Sequence, residues 1–272
     1  MVARRTKILV LCKTYPSPSA KHVETSCVAG MEPNGQLLRL YPVPFRLLTD
    51  ESQFKKWQWI EADVEKSRDD HRPESHRIRA DTIRCLDEPL PTTNSWAARR
   101  AQLALIERFD SFAALDQARV TRGVTLGLLL AGPVLALEIS PARQPEWTDD
   151  ERQKLIQQQV QGDLFAVPEA AALRTLRKIP FNFHYRYRAM AEPVDVDHRH
   201  KIVDWEAGAL YWNVRQKHGE AWEVPFRDKF WTTLPSSDLM FLMGTIHRFP
   251  DQWLIVSLIY PPKQLQQSLD LE

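Results

Sequence analysis

Three groups of side chains have the types and spacing to do chemistry. Asp195-Val196-Asp197-His198-Arg199-His200 sets two imidazoles and two carboxylates within six residues. First-row metals accept such donors, and His198 and His200 point the same way if the segment is a strand. The spacing matches no zincin or deaminase pattern, and a polar loop between strands explains the same residues. Asp204-Trp205-Glu206 stands where a strand gives way to a helix. Carboxylates at a strand end can hold a metal for phosphodiester cleavage; the plainer reading makes Asp204 a helix cap and Glu206 part of the first turn. The loop Asp69-Asp70-His71-Arg72-Pro73-Glu74-Ser75-His76 can hold a metal or a phosphate, or simply neutralise itself. Asp204, Glu206, Asp69 and Glu74 are thus the candidate catalytic carboxylates, and His198 and His200 the candidate metal ligands. A divalent metal is the one cofactor these residues suggest.

Basic and aromatic side chains form a second kind of pattern. Lys13, Thr14 and Tyr15 close one apolar run; Arg39, Tyr41 and Arg46 lie on or just after another. With Lys55 they offer cations for phosphates and rings for bases or sugars. In Pro180–Tyr187, Phe181, Phe183, Tyr185 and Tyr187 alternate with Asn182, His184 and Arg186. That spacing puts the rings in a core and leaves a basic outer face available for binding. The chain has no G-x-G-x-x-G, Walker loop, G-x-S-x-G or H-E-x-x-H, which weighs against dinucleotide enzymes, P-loop NTPases, α/β-hydrolases and zincins.

These residues must be positioned by strands. Lys7–Cys12 is an apolar run of strand length. Val23–Met31 and Gln36–Val43 flank Pro33-Asn34-Gly35, a strong hairpin signal. Trp57–Glu65 and Arg77–Leu86 alternate apolar and polar residues. The count is about five strands in ~80 residues, the size of a small five-stranded barrel of the OB type. Next comes a helix over Trp96–Leu115 with Ser95 as N-cap, then two strands within Val120–Ile139 split at Gly132-Pro133. Thr148 caps a helix over Asp149–Val160, and a short helix is expected at Pro168–Leu176. Beyond these, the pattern gives a strand at Lys201–Trp205, helices at Glu206–Lys217 and Pro225–Leu234, and a closing hairpin from Asp238–Gly244 and Gln252–Tyr260.

The 272 residues, 43% hydrophobic, suffice for a substantial core. A net charge of +1 gives no global electrostatic case for a polyanionic partner, so any such face must be a local patch. Three cysteines without a C-x-x-C pair point away from disulfides and cysteine zinc sites, and toward a reducing compartment. The N-terminal apolar run is too short for a signal peptide. No apolar stretch reaches the ~20 residues of a membrane span. A cytoplasmic protein without membrane association is expected.

The segment KTYPSPSAKHVETSCVAG…LLRLYPVPFR, with FRDKF and DLMFLMG…WLIVSLIYPPK later in the chain, resembles a family of uncharacterised prokaryotic proteins. The hairpin portion also resembles the dual OB-containing domain proteins of phage-defence and mobile-element loci. That resemblance implies a cytosolic, OB-like, nucleic-acid-binding or sensing role. Residue by residue it touches Lys13, Tyr15, Glu24, Arg39, Tyr41 and Arg46.

The expectation is an α+β protein of two β-rich units joined by helices, the first an OB-like barrel. Residues 1–90 form the OB-like unit, 91–176 a helical and strand connecting region, and 177–272 a second α+β unit. The expected function is nucleic-acid binding or sensing in a bacterial defence or DNA-modification system. Its partner would be DNA or RNA, with a protein from the same locus as a further candidate. The alternatives are a metal-dependent nuclease or nucleotide-modifying enzyme, and an adaptor or scaffold.

Overall fold

The computed structural model describes residues 3–19, 23–153 and 176–264. Two β-rich units follow one another. The first contains β1 (Arg4–Lys13), β2 (Ser17–Ser19), β3 (Val23–Met31), β4 (Leu37–Val43), β5 (Trp59–Lys66), β6 (Ser75–Ile78), β7 (Arg84–Cys85) and α1 (Thr93–Leu103). The second contains β8 (Arg108–Phe109), α2 (Phe112–Arg122), β9 (Leu126–Pro141), β10 (Phe181–Ala189), β11 (His198–Ile202), α3 (Trp205–His218), α4 (Glu223–Arg227), β12 (Met240–Ile246) and β13 (Phe249–Ile259).

Each unit closes on itself. In the first, β1 pairs with β3, β3 with β4, β4 with β6, β6 with β5, and β5 returns to β1. In the second, β9 pairs with β10, β10 with β11, β11 with β13, β13 with β12, and β12 returns to β9. Counted within each barrel the order is the same, first, second, third, fifth, fourth. In each, only the third-to-fifth pairing within the ring is parallel. Closure removes the free strand edges that would template aggregation.

Three apolar cores explain the sequence patterns. Ile8, Val10, Val28, Leu38, Leu40, Ile60 and Val64 fill the first barrel. Phe183, Tyr185, Tyr187, Phe241, Met243 and Ile255 fill the second. Between them, Leu9, Leu11, Ala29 and Met31 from one barrel meet Leu126, Leu128, Met240 and Leu242 from the other. Thus β1 is buried on both faces, with alternate residues in two different cores. That is why Lys7–Cys12 is an unbroken apolar run rather than an alternating one.

Several expected elements are redrawn. The helix over Trp96–Leu115 is two helices interrupted by β8, and Ser95 is not a cap: it has a positive φ, as do Asn94 and Trp96. The cap that forms is Ser111, whose Oγ accepts from Ala114 N at 3.1 Å. Gly132-Pro133 does not split β9, which runs through it for 16 residues. The irregularity is absorbed within β9 itself: at the register shifts Arg186/Tyr187 and Tyr187/Ala189 of β10, β9 carries one extra residue each time, a bulged setting in which a strand tolerates proline. β9 therefore belongs to the second barrel, and Trp96 and Leu103 of α1 pack into the core between barrels. Thr148 begins a helical turn as expected, its Oγ1 accepting from Glu151 N at 3.3 Å. The remainder of the helix expected to Val160 lies outside the described residues, as does nearly all of that expected at Pro168–Leu176.

Candidate nucleic-acid interface

The first-barrel residues singled out in the sequence scatter. Arg39 is only 4% exposed. Its side chain projects outward from β4, yet the second barrel covers it: the guanidinium donates to Thr125 O at 2.9 Å and Thr125 Oγ1 at 3.3 Å. Glu74 serves the same junction, accepting from Thr125 N at 2.9 Å, Leu126 N at 3.2 Å and Thr125 Oγ1 at 2.5 Å. Arg72 bridges Asp70 of its own loop to the Thr245 carbonyl of β12. Burial alone would raise the Asp70 carboxyl; hydrogen bonds from Arg72 and Ser75 outweigh it and hold the group well below the usual range. Arg39 and Glu74 are thus corrected from phosphate contact and catalytic carboxylate to fasteners between barrels. Asp69 remains exposed on the same loop.

Asp204 and Glu206 belong to another junction. Asp204 is buried and caps α3, with Oδ1 accepting from Glu206 N at 2.9 Å and Oδ2 from Leu258 N at 3.0 Å. Lys56 Nζ lies 3.6 Å from Asp204 and 2.8 Å from Glu206. Burial opposes the charge on Lys56, but the two carboxylates outweigh it and raise its pKa. Both Asp204 oxygens are thereby committed, so the cap reading holds. Lys13 is not open to a phosphate. Its Nζ donates to Phe54 O at 3.2 Å and sits 3.4 Å from the Phe45 ring centroid, with Trp205 at 5.1 Å. Desolvation lowers its pKa to about 8, against the pull of Glu206 and Asp204.

Tyr15 is also committed to packing. Its hydroxyl donates to Arg177 O at 2.7 Å and accepts from Trp212 Nε1 at 3.1 Å, and its ring lies over Gly208. Tyr41, 49% exposed, and Lys55, beside Glu88 at 3.8 Å, stay at the surface; Arg46 is half-buried. The side chain of Glu24 lies outside the described residues. These positions do not assemble one binding site.

His198 and His200 lie on β11, not in a loop. Both face the barrel mouth, where the Phe112 ring centroid is 4.8 Å from each. Glu192 holds His198 at 3.2 Å, while the Tyr187 hydroxyl meets His200 Nδ1 at 3.1 Å. Burial, then the neighbouring His198 and His184, lowers His200 to about 4. Among the described residues no three His, Cys, Asp or Glu side chains gather as a metal would need.

The opposite face of β10 and β11 carries four cations, Arg186, Arg188, Arg199 and Lys201. Because Phe183, Tyr185 and Tyr187 turn inward, Asn182, His184 and Arg186 turn outward. Register places Glu138, His184 and Lys201 in one row across β9, β10 and β11, and Ala136, Arg186 and Arg199 in the next. Arg188 follows. Arg199 Nε donates to Glu138 at 2.7 Å and Arg188 Nε to Asp197 at 2.9 Å. Arg186 and Lys201 have no carboxylate partner among the described residues. Desolvation, with Arg199 and Lys201 nearby, lowers His184 to about 4 and keeps it neutral near pH 7. Four cations against two carboxylates give this strip the local positive balance that the whole chain lacks. The alternation in Pro180–Tyr187 was the sequence signal for it; the outward-facing Arg199 and Lys201 had none, because they are cross-strand partners distant in sequence.

A model for a domain of unknown function, DUF8758, matches residues 4–104. A second, for the domain of unknown function DUF8757, matches residues 108–272. The chain belongs to the DUF8757 family. The DUF8757 match begins at β8 and takes in the second barrel with its basic strip, and the three residues between the matches fall between α1 and β8. No curated protein matches the chain. No helix among the described residues is long and apolar enough to cross a membrane.

Proposed function

We propose that this protein binds nucleic acid through the outer face of β9, β10 and β11. The observation that carries the reading is the strip of Arg186, Arg188, Arg199 and Lys201, ordered by strand register, with Arg186 and Arg199 exposed and Arg188 and Lys201 half-buried. Both barrels have the strand order of an OB-fold, whose second and third strands form its usual binding surface. In the first barrel those strands are β3 and β4, and much of their outer face lies against the second barrel. In the second they are β10 and β11. The resemblance to dual OB-containing domain proteins supports a setting in phage defence or mobile-element control. Since Asp204 and Glu74 are committed to hydrogen bonds, binding is favoured over nuclease chemistry.

The test is fluorescence anisotropy with labelled DNA and RNA at low salt. Wild type is expected to bind, and Arg186→Ala with Lys201→Ala to weaken binding by about tenfold or more. Arg39→Ala is expected to leave the surface contacts intact. Binding of wild-type strength in the Arg186/Lys201 double variant would sink the proposal.

A further inference from the structure

The same strip says what form of nucleic acid it fits. Its outward side chains are Arg, Lys, His, Asn and Glu, while Phe183, Tyr185 and Tyr187 of β10 are buried in the barrel interior and Phe181, partly buried, packs against Tyr211 and Trp222. Proteins that hold single strands combine cations with exposed rings on which bases stack, and stacking helps offset the ordering of a flexible chain. This strip has the cations alone. The cations are also prearranged. Directly paired residues on neighbouring strands lie about 5 Å apart, and alternate residues along one strand about 6.7 Å apart. A duplex presents phosphates already ordered, at about one charge per 1.7 Å of axis. We infer that the strip engages the phosphate backbone of a duplex, without stacking on bases and without reading sequence. This inference rests on the reading above.

The closing experiment compares a mixed-sequence duplex with each of its separated strands and with oligo-dT, across a salt series. The duplex is expected to bind more tightly than any single strand. Tryptophan emission is expected to stay unchanged, because no Trp lies on the strip. The salt slope is expected to fall by about two in Arg186→Ala with Lys201→Ala, one for each lost phosphate contact. Arg186→Lys, which keeps the charge, is expected to retain most of the affinity. Single strands binding as well as or better than the duplex, with the double variant still weakened, would overturn the duplex inference and leave the binding reading standing. No binding to any probe, or binding insensitive to the double variant, would overturn both.

Discussion

Asp204 shows how one carboxylate can be occupied by structure alone. Each oxygen accepts a backbone N–H, one from α3 and one from β13, and Lys56 supplies the countercharge. A buried charge pair contributes little in net terms, but removing one member strands the other. Asp204→Ala is therefore expected to cost about 3–5 kcal/mol, read from urea denaturation. Such a loss with nucleic-acid affinity retained in the folded variant would fit a structural role; abolished affinity in a folded variant would contradict it. The cap was legible in the sequence because Asp before a helix is a local signal. The second hydrogen bond, to Leu258, depends on a residue 54 positions away and was not.

The legibility of each strand followed the number of cores it serves. β10 serves one core, so its rings and polar residues alternate and its outer face could be read directly. β1 serves two cores, so its apolar run announced burial without saying what covers each side. The same blindness misplaced Arg39. An arginine on an outward strand face looks available until another barrel lies over it, and no short window of sequence carries that information. Gly132-Pro133 misled differently, since β9 takes up its irregularity in bulges of its own and stays continuous. The barrel-to-barrel core sets a further expectation. Leu128 is fully buried there, and Leu128→Ala is expected to cost about 2–5 kcal/mol, checked by the same denaturation series. A cost near zero would mean that the barrels do not depend on this contact.

The whole molecule is two closed barrels held by a shared apolar core and by the fastening of Arg39, Arg72 and Glu74 to Thr125, Leu126 and Thr245. The two family matches divide the chain at this contact, yet the contact is built like an interior. Residues 4–104 and 108–272 produced as separate chains are expected to expose it and associate when mixed, measured by light scattering. Two stable monomers that ignore each other would refute that account. β9 ties this contact to the proposed binding strip. Its Leu126–Leu130 end pairs with β12 beside the first barrel, and its Ala136–Ser140 stretch pairs with β10 behind Arg186 and His184. At 16 residues it is a strut of about 50 Å when extended. A load taken up by the cations at one end is delivered along a single hydrogen-bonded strand to the joint at the other, so tension on a bound polymer would be borne by both barrels rather than by the one that touches it.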